Sequence, residues 1–546
     1  MGQTHRNETT YVNATTSPSN TRRVARAASL VMILFVASRA MGLLRAMVIA
    51  RQFGASAQLD AYLAAFRLPD LFFALMAGGA LGSAFIPVFA SYLAHDDKPG
   101  AWRLASAVIN WVFLLLSAAG LLAALLAPVL VTYIIAPGFT PAQQALTVEL
   151  MRWMLVSTVI FGVSGVVMGI LNARQHFLLP ALAPVIYNAA IIAGVWFLGP
   201  TMGVRGATIG VVVGAFGHFL IQAPELRRQG MRYTLELAPH DPGVHEVGRL
   251  MAPRALGQAA VELNHLVNVT LASMLRVGSI SALNYGRLMM LLPQGVIAQS
   301  VAIAAFPTFS TLAARGERDE LRHILATILR SVLYLTLPAA VGLIWLREPL
   351  VTAVFGGGEF DAWSIQATAW ALLFYALGLV GHAIVEIVAR AFYALHDTRT
   401  PVIVGLSAMP ANIALSLGFI SLFGRLGWMP LLGGLALANS LVTIGEMVIL
   451  LYLIRRRLDG LEGGQLAAAM WKMGLGCVAM LAGLIGISGI VPVGPAWIIC
   501  TINIVVGGAI YGLVTLLLRS EEPMAAMRRV RDRTRFLSRR VHDKQE

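Results

Sequence analysis

The stretch SRAMGLLRAMVIARQFG, residues 38–54, sets Arg39, Arg45 and Arg51 in a run otherwise fit for the interior of a bilayer. A charge near the bilayer centre costs roughly 2.5–3.5 kcal/mol on insertion scales, so an arginine kept there is kept for something it binds. With a first span starting near Ala27, Arg39 lies about 18 Å along it and Arg45 about 9 Å further. Arg51 then reaches the interface as an anchor. Arg39 and Arg45 point about 120° apart; both reach one wide cavity on flexible stems, but both cannot face lipid cheaply. Arg287 sits in the first third of another span with no acid within four residues on its own helix. Arg67 has a local partner in Asp70, within RLPD, and an ion pair shaping the helix stands level there with a ligand role. The planar guanidinium fork makes bidentate, charge-assisted bonds to phosphate. Several such arginines lining one cavity point to an anionic substrate, a phosphate or pyrophosphate.

The other ionisable groups narrow the chemistry. Glu262, Glu386 and Glu446 are the buried carboxylate candidates, each placed to pair with an arginine, bind a coupling cation or sit near a helix end. Asp60 opens the second span, where a carboxylate caps a helix. His218, His265 and His382 are scattered without metal-ligand spacing and read as structural, so no metal site is expected. Cys477 and Cys500 lie in apolar runs and read as free, buried thiols. No GxxxxGK[ST] loop is present, so ATP is not the evident energy source, and no cofactor is expected. Coupling to the membrane potential or to a cation stays open.

These residues need a membrane scaffold. Of 546 residues, 58% are hydrophobic and 12% charged, with a mean hydropathy of +0.74. A soluble protein carries about 25% charged residues. Apolar segments recur at 27–50, 61–93, 104–135, 146–171, 179–199, 204–223, 247–274, 279–313, 323–346, 363–394, 400–423, 430–454, 466–490 and 495–518. They predict about fourteen transmembrane helices in an all-α fold. The net charge of +14 gathers in alternate loops: Lys98 and Arg103, Arg174, Arg227–Arg232, Arg315–Arg322, Arg399 and Arg455–Arg457, with the tail MRRVRDRTRFLSRRVHDK. The loops between carry single charges (Arg51, Arg205, Arg276, Arg347, Arg425) or none. That asymmetry predicts both termini in the cytoplasm and contact with anionic membrane lipids rather than nucleic acid.

The chain also repeats itself. FRLPDLFFALMAGGALGSAFIPVFASYLA (66–94) aligns without a gap on GRLMMLLPQGVIAQSVAIAAFPTFSTLAA (286–314), setting Arg67 on Arg287, Pro87 on Pro307 and Phe89 on Phe309. Residues 217–230 match 445–460 in the same order. Six spans, six more, then two extra is the simplest reading, with the halves inserted in the same orientation and solute sites between them. The expected divisions are a disordered cytoplasmic N-terminus (1–26), a first six-helix lobe (27–230), a second (245–460), two extra helices (465–519) and a basic cytoplasmic tail (520–546).

The segments SRAMGLLRAMVIARQFGASAQLDAYLAAFRLPDL, GGALGSAFIPVFASYL, GILNARQHFLLPALAPVIYN, GVRGATIGVVVGA and ARAFYALHDTRTP resemble the MurJ/MviN family of lipid II flippases in the MOP exporter superfamily, in the same order across about residues 27–518. The resemblance implies two six-helix lobes, two C-terminal helices forming a groove for a polyprenyl tail, and alternating-access export of lipid-linked peptidoglycan precursor across the bacterial inner membrane. It sets cavity arginines on Arg39, Arg45 and Arg287 and an outer-end aspartate on Asp60. It implies no catalytic residues, and the protein is expected to act as a monomer. The chain departs from the family at Ala46, Phe73, Gly78, Gly286, Met290 and Leu291, where many members carry charge, and at Ser416, where an aspartate of a sodium site is expected beside Asn412. The cavity is thus expected to be less charged. A flippase for another polyprenyl-linked glycan is the nearest alternative. A membrane enzyme acting on polyprenyl phosphates would need clustered carboxylates for magnesium, and only HDD, residues 95–97, offers any.

Overall fold

Hydrocarbon offers the backbone no hydrogen-bond partner, so a chain this apolar satisfies its amides within helices. The computed structural model describes residues 18–76, 80–488 and 494–524. Among these the one extended pairing is an isolated bridge between Gly357 and Phe360. Residues 525–546 of the basic tail, the first 17 residues and Gly78 lie outside the described residues.

The first lobe runs α1 (Pro18–Phe53), α2 (Ala57–Ala65), α3 (Arg67–Met76), α4 (Ala80–Ala94), α5 (Lys98–Leu130), α6 (Pro141–Ala173), α7 (Leu178–Ala193), α8 (Gly199–Met202), α9 (Val204–Leu220) and α10 (Ala223–Arg228). The second runs α11 (Pro242–Ser273), α12 (Ser279–Gln294), α13 (Ser300–Arg315), α14 (Arg318–Trp345), α15 (Arg347–Phe355), α16 (Ala362–Ala394), α17 (Arg399–Arg425) and α18 (Leu432–Arg457). Then come α19 (Gly463–Ser488) and α20 (Ala496–Leu517). Among the described residues, twelve helices are long and apolar enough to cross a membrane, so the expected fourteen holds only approximately. The span expected at 61–93 is divided among α2, α3 and α4. The one expected at 247–274 lies in the 32-residue α11, whose Arg249, Arg254, Glu262 and His265 dilute its apolarity.

Helix starts follow local chemistry. Asp97, Thr140 and Asp241 accept from the backbone N–H groups of Gly100, Gln143 and Gly243, each with a proline in the first turn of the helix it caps. Turns of π-helix at Val131–Ile135, Gly194–Leu198 and Gly295–Gln299 continue α5, α7 and α12.

The internal repeat is visible in the packing. In the first lobe α5 pairs with α6, α6 with α9, α7 with α9, and α2–α4 with α6. In the second α14 pairs with α16, α16 with α18, α17 with α18, and α12 and α13 with α16. Phe89 and Phe309, matched in the sequence, are both fully buried. The first helices break the correspondence. α1 packs along α7, whereas α11 lies mainly against α3 and α4 of the opposite lobe. Val247 joins the first-lobe core around Phe85 and Trp102, with Val244, Leu250 and Met251 packed on it. The last two helices dock on the second lobe, α19 on α14 and α20 on α15. There Tyr511 donates its hydroxyl to the Tyr334 carbonyl at 2.9 Å. Cys477 and Cys500 are free and buried.

Candidate functional site

Two faces are distinguished by their loops, one rich in arginine and one poor. At the arginine-poor face the turn between α1 and α2 is held by the second lobe on three sides. The Ala55 amide donates to Ser364 Oγ at 3.0 Å, and that hydroxyl donates to Asp361 Oδ1 at 2.7 Å. The Glu359 amide donates to the Arg51 carbonyl at 2.8 Å. Asp60, 2% exposed, accepts from the Gly278 amide at 2.7 Å, the Ser281 amide at 2.8 Å and the Ser281 hydroxyl at 2.6 Å. Ser56, not Asp60, caps α2. Asp60 instead caps α12 in the other lobe, 218 residues away. Its negative charge at a helix N-terminus meets both the orphan amides and the positive end of the helix dipole. Gly278 is required at this junction: its φ is +89°, and a Cβ there would stand 2.3 Å from the Ala55 carbonyl oxygen.

The arginine-rich face is held by the N-terminus of α11. Asp241, its N-cap, accepts from the Tyr92 hydroxyl at 3.3 Å and pairs with Arg103 at 3.5 Å. Both residues belong to the first lobe, so these contacts fasten the start of α11 to it.

Between the ends lie the charges. Arg287 points both guanidinium Nη atoms at the His265 ring on α11, Nη1 to Nδ1 at 3.1 Å and Nη2 to Nε2 at 3.0 Å. A neutral imidazole has one acceptor nitrogen and guanidinium has only donors, so one of these contacts is a hydrogen bond and the positive charge stays uncompensated by its partner. Arg67 pairs with Asp70 at 3.2 Å and donates Nε to the Leu63 carbonyl at 3.3 Å. Glu262, half-buried on α11, lies within electrostatic reach of Arg67, Asp70 and Arg287. Arg45, half-buried on α1, lies within reach of Tyr62, Asp70, Tyr187 and Tyr285. Three guanidiniums and two carboxylates therefore meet where α1, α3, α11 and α12 converge. Arg39, further along α1, donates Nη2 to Gln299 Oε1 at 3.1 Å across the lobe boundary and stacks over Phe35 with 5.5 Å to the ring centroid. Gln299 ends the π turn after Pro293; single π turns inside α-helices recur at functional sites.

The remaining sequence candidates fall elsewhere. Glu386 is held by Arg390 one turn on in α16. Glu446 sits on α18 against Gly405 of α17, away from the cluster. Asn412, half of the expected sodium pattern, donates to Asn264 Oδ1 at 2.9 Å and accepts weakly from Ser416 at 3.5 Å, a chain without formal charge. His265 is the residue that sequence reasoning missed. Its spacing to other histidines carries no metal signature, and its partner, Arg287, lies on the next helix of the fold. Arg287 in turn has no acid on its own helix, and a partner from α11 was the available alternative.

A family profile described as "Lipid II flippase MurJ" matches residues 49–502. A protein of Burkholderia cenocepacia named "Lipid II flippase MurJ" is 32% identical over 416 residues, covering 74% of this chain and 80% of its own. A Vibrio cholerae protein named "Probable lipid II flippase MurJ" is 28% identical over 440 residues, covering 79% and 82%. Among solved structures, one titled "Lipid II flippase MurJ, inward closed conformation" superposes with a TM-score of 0.75 at 25% identity, covering 90% of this chain and 98% of that one. An inward-facing multidrug-resistance MATE transporter of the MOP superfamily gives 0.66 at 17% identity, covering 77% and 95%, a likeness of fold. The chain is a multi-pass membrane protein that belongs to the MurJ family of lipid II flippases.

Proposed function

We propose that this protein moves lipid II, the lipid-linked peptidoglycan precursor, from the inner to the outer leaflet of the bacterial inner membrane by alternating access, with no covalent step. The arginine-rich face is the cytoplasmic one, and both termini lie on that side. The carrying observation is the interlobe cluster. Arg45, Arg67 and Arg287 outnumber Asp70 and Glu262, and Arg39 adds a fourth positive charge along the passage. The excess positive charge suits a pyrophosphate diester, and the guanidinium fork suits its oxygens.

In the mechanism, substrate enters when α11 leaves the first lobe and the Asp241 contacts with Tyr92 and Arg103 break. The pyrophosphate then displaces His265 from Arg287 and Gln299 from Arg39, and so draws the two lobes together. A ligand shifts a conformational equilibrium only by its differential affinity for the two states, and groups from both lobes on one anion supply that difference. Release on the far side requires the Asp60 cap on α12 and the Ser364 contact with Ala55 to open. Arg67, already engaged by Asp70, shapes the cavity wall. Export runs without a bound cofactor, coupled to the membrane potential or to a cation, and the expected working unit is a monomer. The residues 465–519 form the groove for the polyprenyl tail.

The test is depletion of the protein in cells followed by measurement of inner-leaflet lipid-linked intermediates. Lipid II is expected to accumulate. Accumulation of a different polyprenyl-linked glycan, with lipid II export intact, would reassign the substrate.

A further inference from the structure

A second cavity, about 870 Å³ in volume, opens on the flank of the first lobe, away from the interlobe passage. Its wall comes from α5, α6, α9 and α10, with Phe113, Val163 and Phe219 on it, and from the extended segment that follows α10. That size falls within the range of about 300–1,000 Å³ typical of ligand pockets.

The extended segment reads MRYTLELA, residues 231–238, and its period of two separates the faces. Met231, Tyr233, Leu235 and Leu237 all line the cavity, while Arg232, Thr234 and Glu236 alternate with them. Its backbone is fastened to α5. Asn110 Nδ2 donates to the carbonyls of Thr234 at 3.0 Å and Glu236 at 2.8 Å. The Trp111 indole donates to the Leu237 carbonyl at 2.8 Å, and Ser106 Oγ accepts from the Thr234 amide at 3.2 Å. Backbone groups that hydrocarbon would leave unpaired are thus satisfied by the protein, and the apolar side chains are presented outward. Leu235 is 87% exposed and Tyr233 56%. One cation lines this apolar cavity: Arg227, at the end of α10, beside the next basic loop. Among the described residues it has no ion-pair or side-chain hydrogen-bond partner, whereas its neighbour Arg228 pairs with Glu225 at 3.7 Å.

We infer that this cavity binds an anionic glycerophospholipid of the adjoining leaflet, with an acyl chain against α5, α6 and the extended segment and its phosphate on Arg227. Two features select that occupant. An apolar cavity walled by membrane-spanning helices and fronted by uncovered apolar side chains admits a chain. An unpaired guanidinium at the loop end of the same cavity takes a phosphate, as basic pockets between membrane helices do. The extended segment leads directly to Asp241, the N-cap of α11, so the lipid rests on the linker joining the lobes. The site stands whether or not the transported substrate is lipid II.

The test uses the purified full-length protein, delipidated in detergent and titrated with phosphatidylglycerol or with phosphatidylcholine of the same acyl chains, with bound lipid counted by native mass spectrometry. One basic residue at a membrane surface is worth about a fivefold change in affinity. Arg227→Ala is expected to weaken phosphatidylglycerol by about fivefold and Arg227→Glu by about thirtyfold. Phosphatidylcholine carries the same phosphate with its charge offset by choline, so both substitutions should weaken it less, and neither should alter the lipid-free melting temperature. Val163→Trp, filling the cavity, should reduce both lipids. Equal affinity for the two headgroups, or unchanged phosphatidylglycerol binding in Arg227→Glu, would overturn the assignment. A polyprenyl phosphate that displaces phosphatidylglycerol at equal concentration would also overturn it, giving the site to the polyprenyl lipids. Inorganic phosphate alone is expected not to compete, and competition by it would show that the apolar cavity plays no part.

Discussion

Asp60→Ala removes the acceptor of three hydrogen bonds, 2.6–2.8 Å long, that tie α2 of the first lobe to the N-terminus of α12 in the second. Hydrogen bonds to a charged group are worth about 1.5–3 kcal/mol each. All three end on one carboxylate and water replaces part of them once the gate opens, so they do not add fully. A net loss of about 3 kcal/mol from the closed state is a reasonable middle value. It shifts the closed-to-open equilibrium at the arginine-poor face by about a hundredfold. Asp60→Asn keeps one acceptor oxygen, loses the charge, and should fall between. The assay is a distance measurement between spin labels at Met202 and Met429, both exposed and outside the clamp, in a background without Cys477 and Cys500. The wild type should give one short distance, and Asp60→Ala a second, longer population that rises from about one per cent toward half of the molecules. An unchanged distribution in Asp60→Ala, with the protein folded, would refute the clamp.

Gly278→Ala forces a side chain into a left-handed position with its Cβ 2.3 Å from the Ala55 carbonyl; it should open the same face in the same distance assay without touching any charge. Asp361 caps α16 from outside the membrane, and its bonds from Ser364 hold its carboxyl below the usual 3.8. A lowered native value means that its contribution is complete above pH 3.8 and is lost as pH falls through the native value. Acidification below that range should therefore loosen the wild type in melting and labelling experiments, while Asp361→Asn should lack this step. Arg67→Ala breaks a pair that is partly exposed on the Asp70 side; it should lower the melting temperature through a loss of about 1 kcal/mol, with lipid II affinity changing less than threefold.

The chain's membrane nature, its faces and its doubled architecture were legible because each depends on local pattern. Apolar runs mark spans, arginine counts in loops mark sides, and the gapless match of 66–94 on 286–314 reappears as equivalent helix pairings in the two lobes. The Arg67–Asp70 pair was legible for the same reason, since three residues separate the partners on one helix. What stayed hidden depends on lobe-to-lobe contact. Asp60 was read as a cap, but the helix it caps begins more than two hundred residues later. The displacement of α11 onto α3 and α4 has no signature in its own composition beyond the charges that dilute its apolarity. His265 looked isolated because its partner follows 22 residues later on another helix. The apolar alternation of residues 231–238 is too short for a span and lies apart from the arginines of the passage, so only the fold shows it as a cavity wall.

The central claim, that arginines from both lobes hold the substrate's pyrophosphate, is tested most directly by lipid II binding to purified variants, paired with their ligand-free melting temperatures. Loss of one charge-assisted interaction of about 1.5–3 kcal/mol weakens affinity roughly ten- to a hundred-fold. Arg39→Ala and Arg287→Ala should each show that loss with melting temperatures near wild type, and Arg39→Lys, which keeps the charge without the fork, should fall between. Normal lipid II affinity in Arg287→Ala together with a much lower melting temperature would contradict the account, leaving Arg287 as a structural partner of His265 and the first lobe alone to hold the substrate.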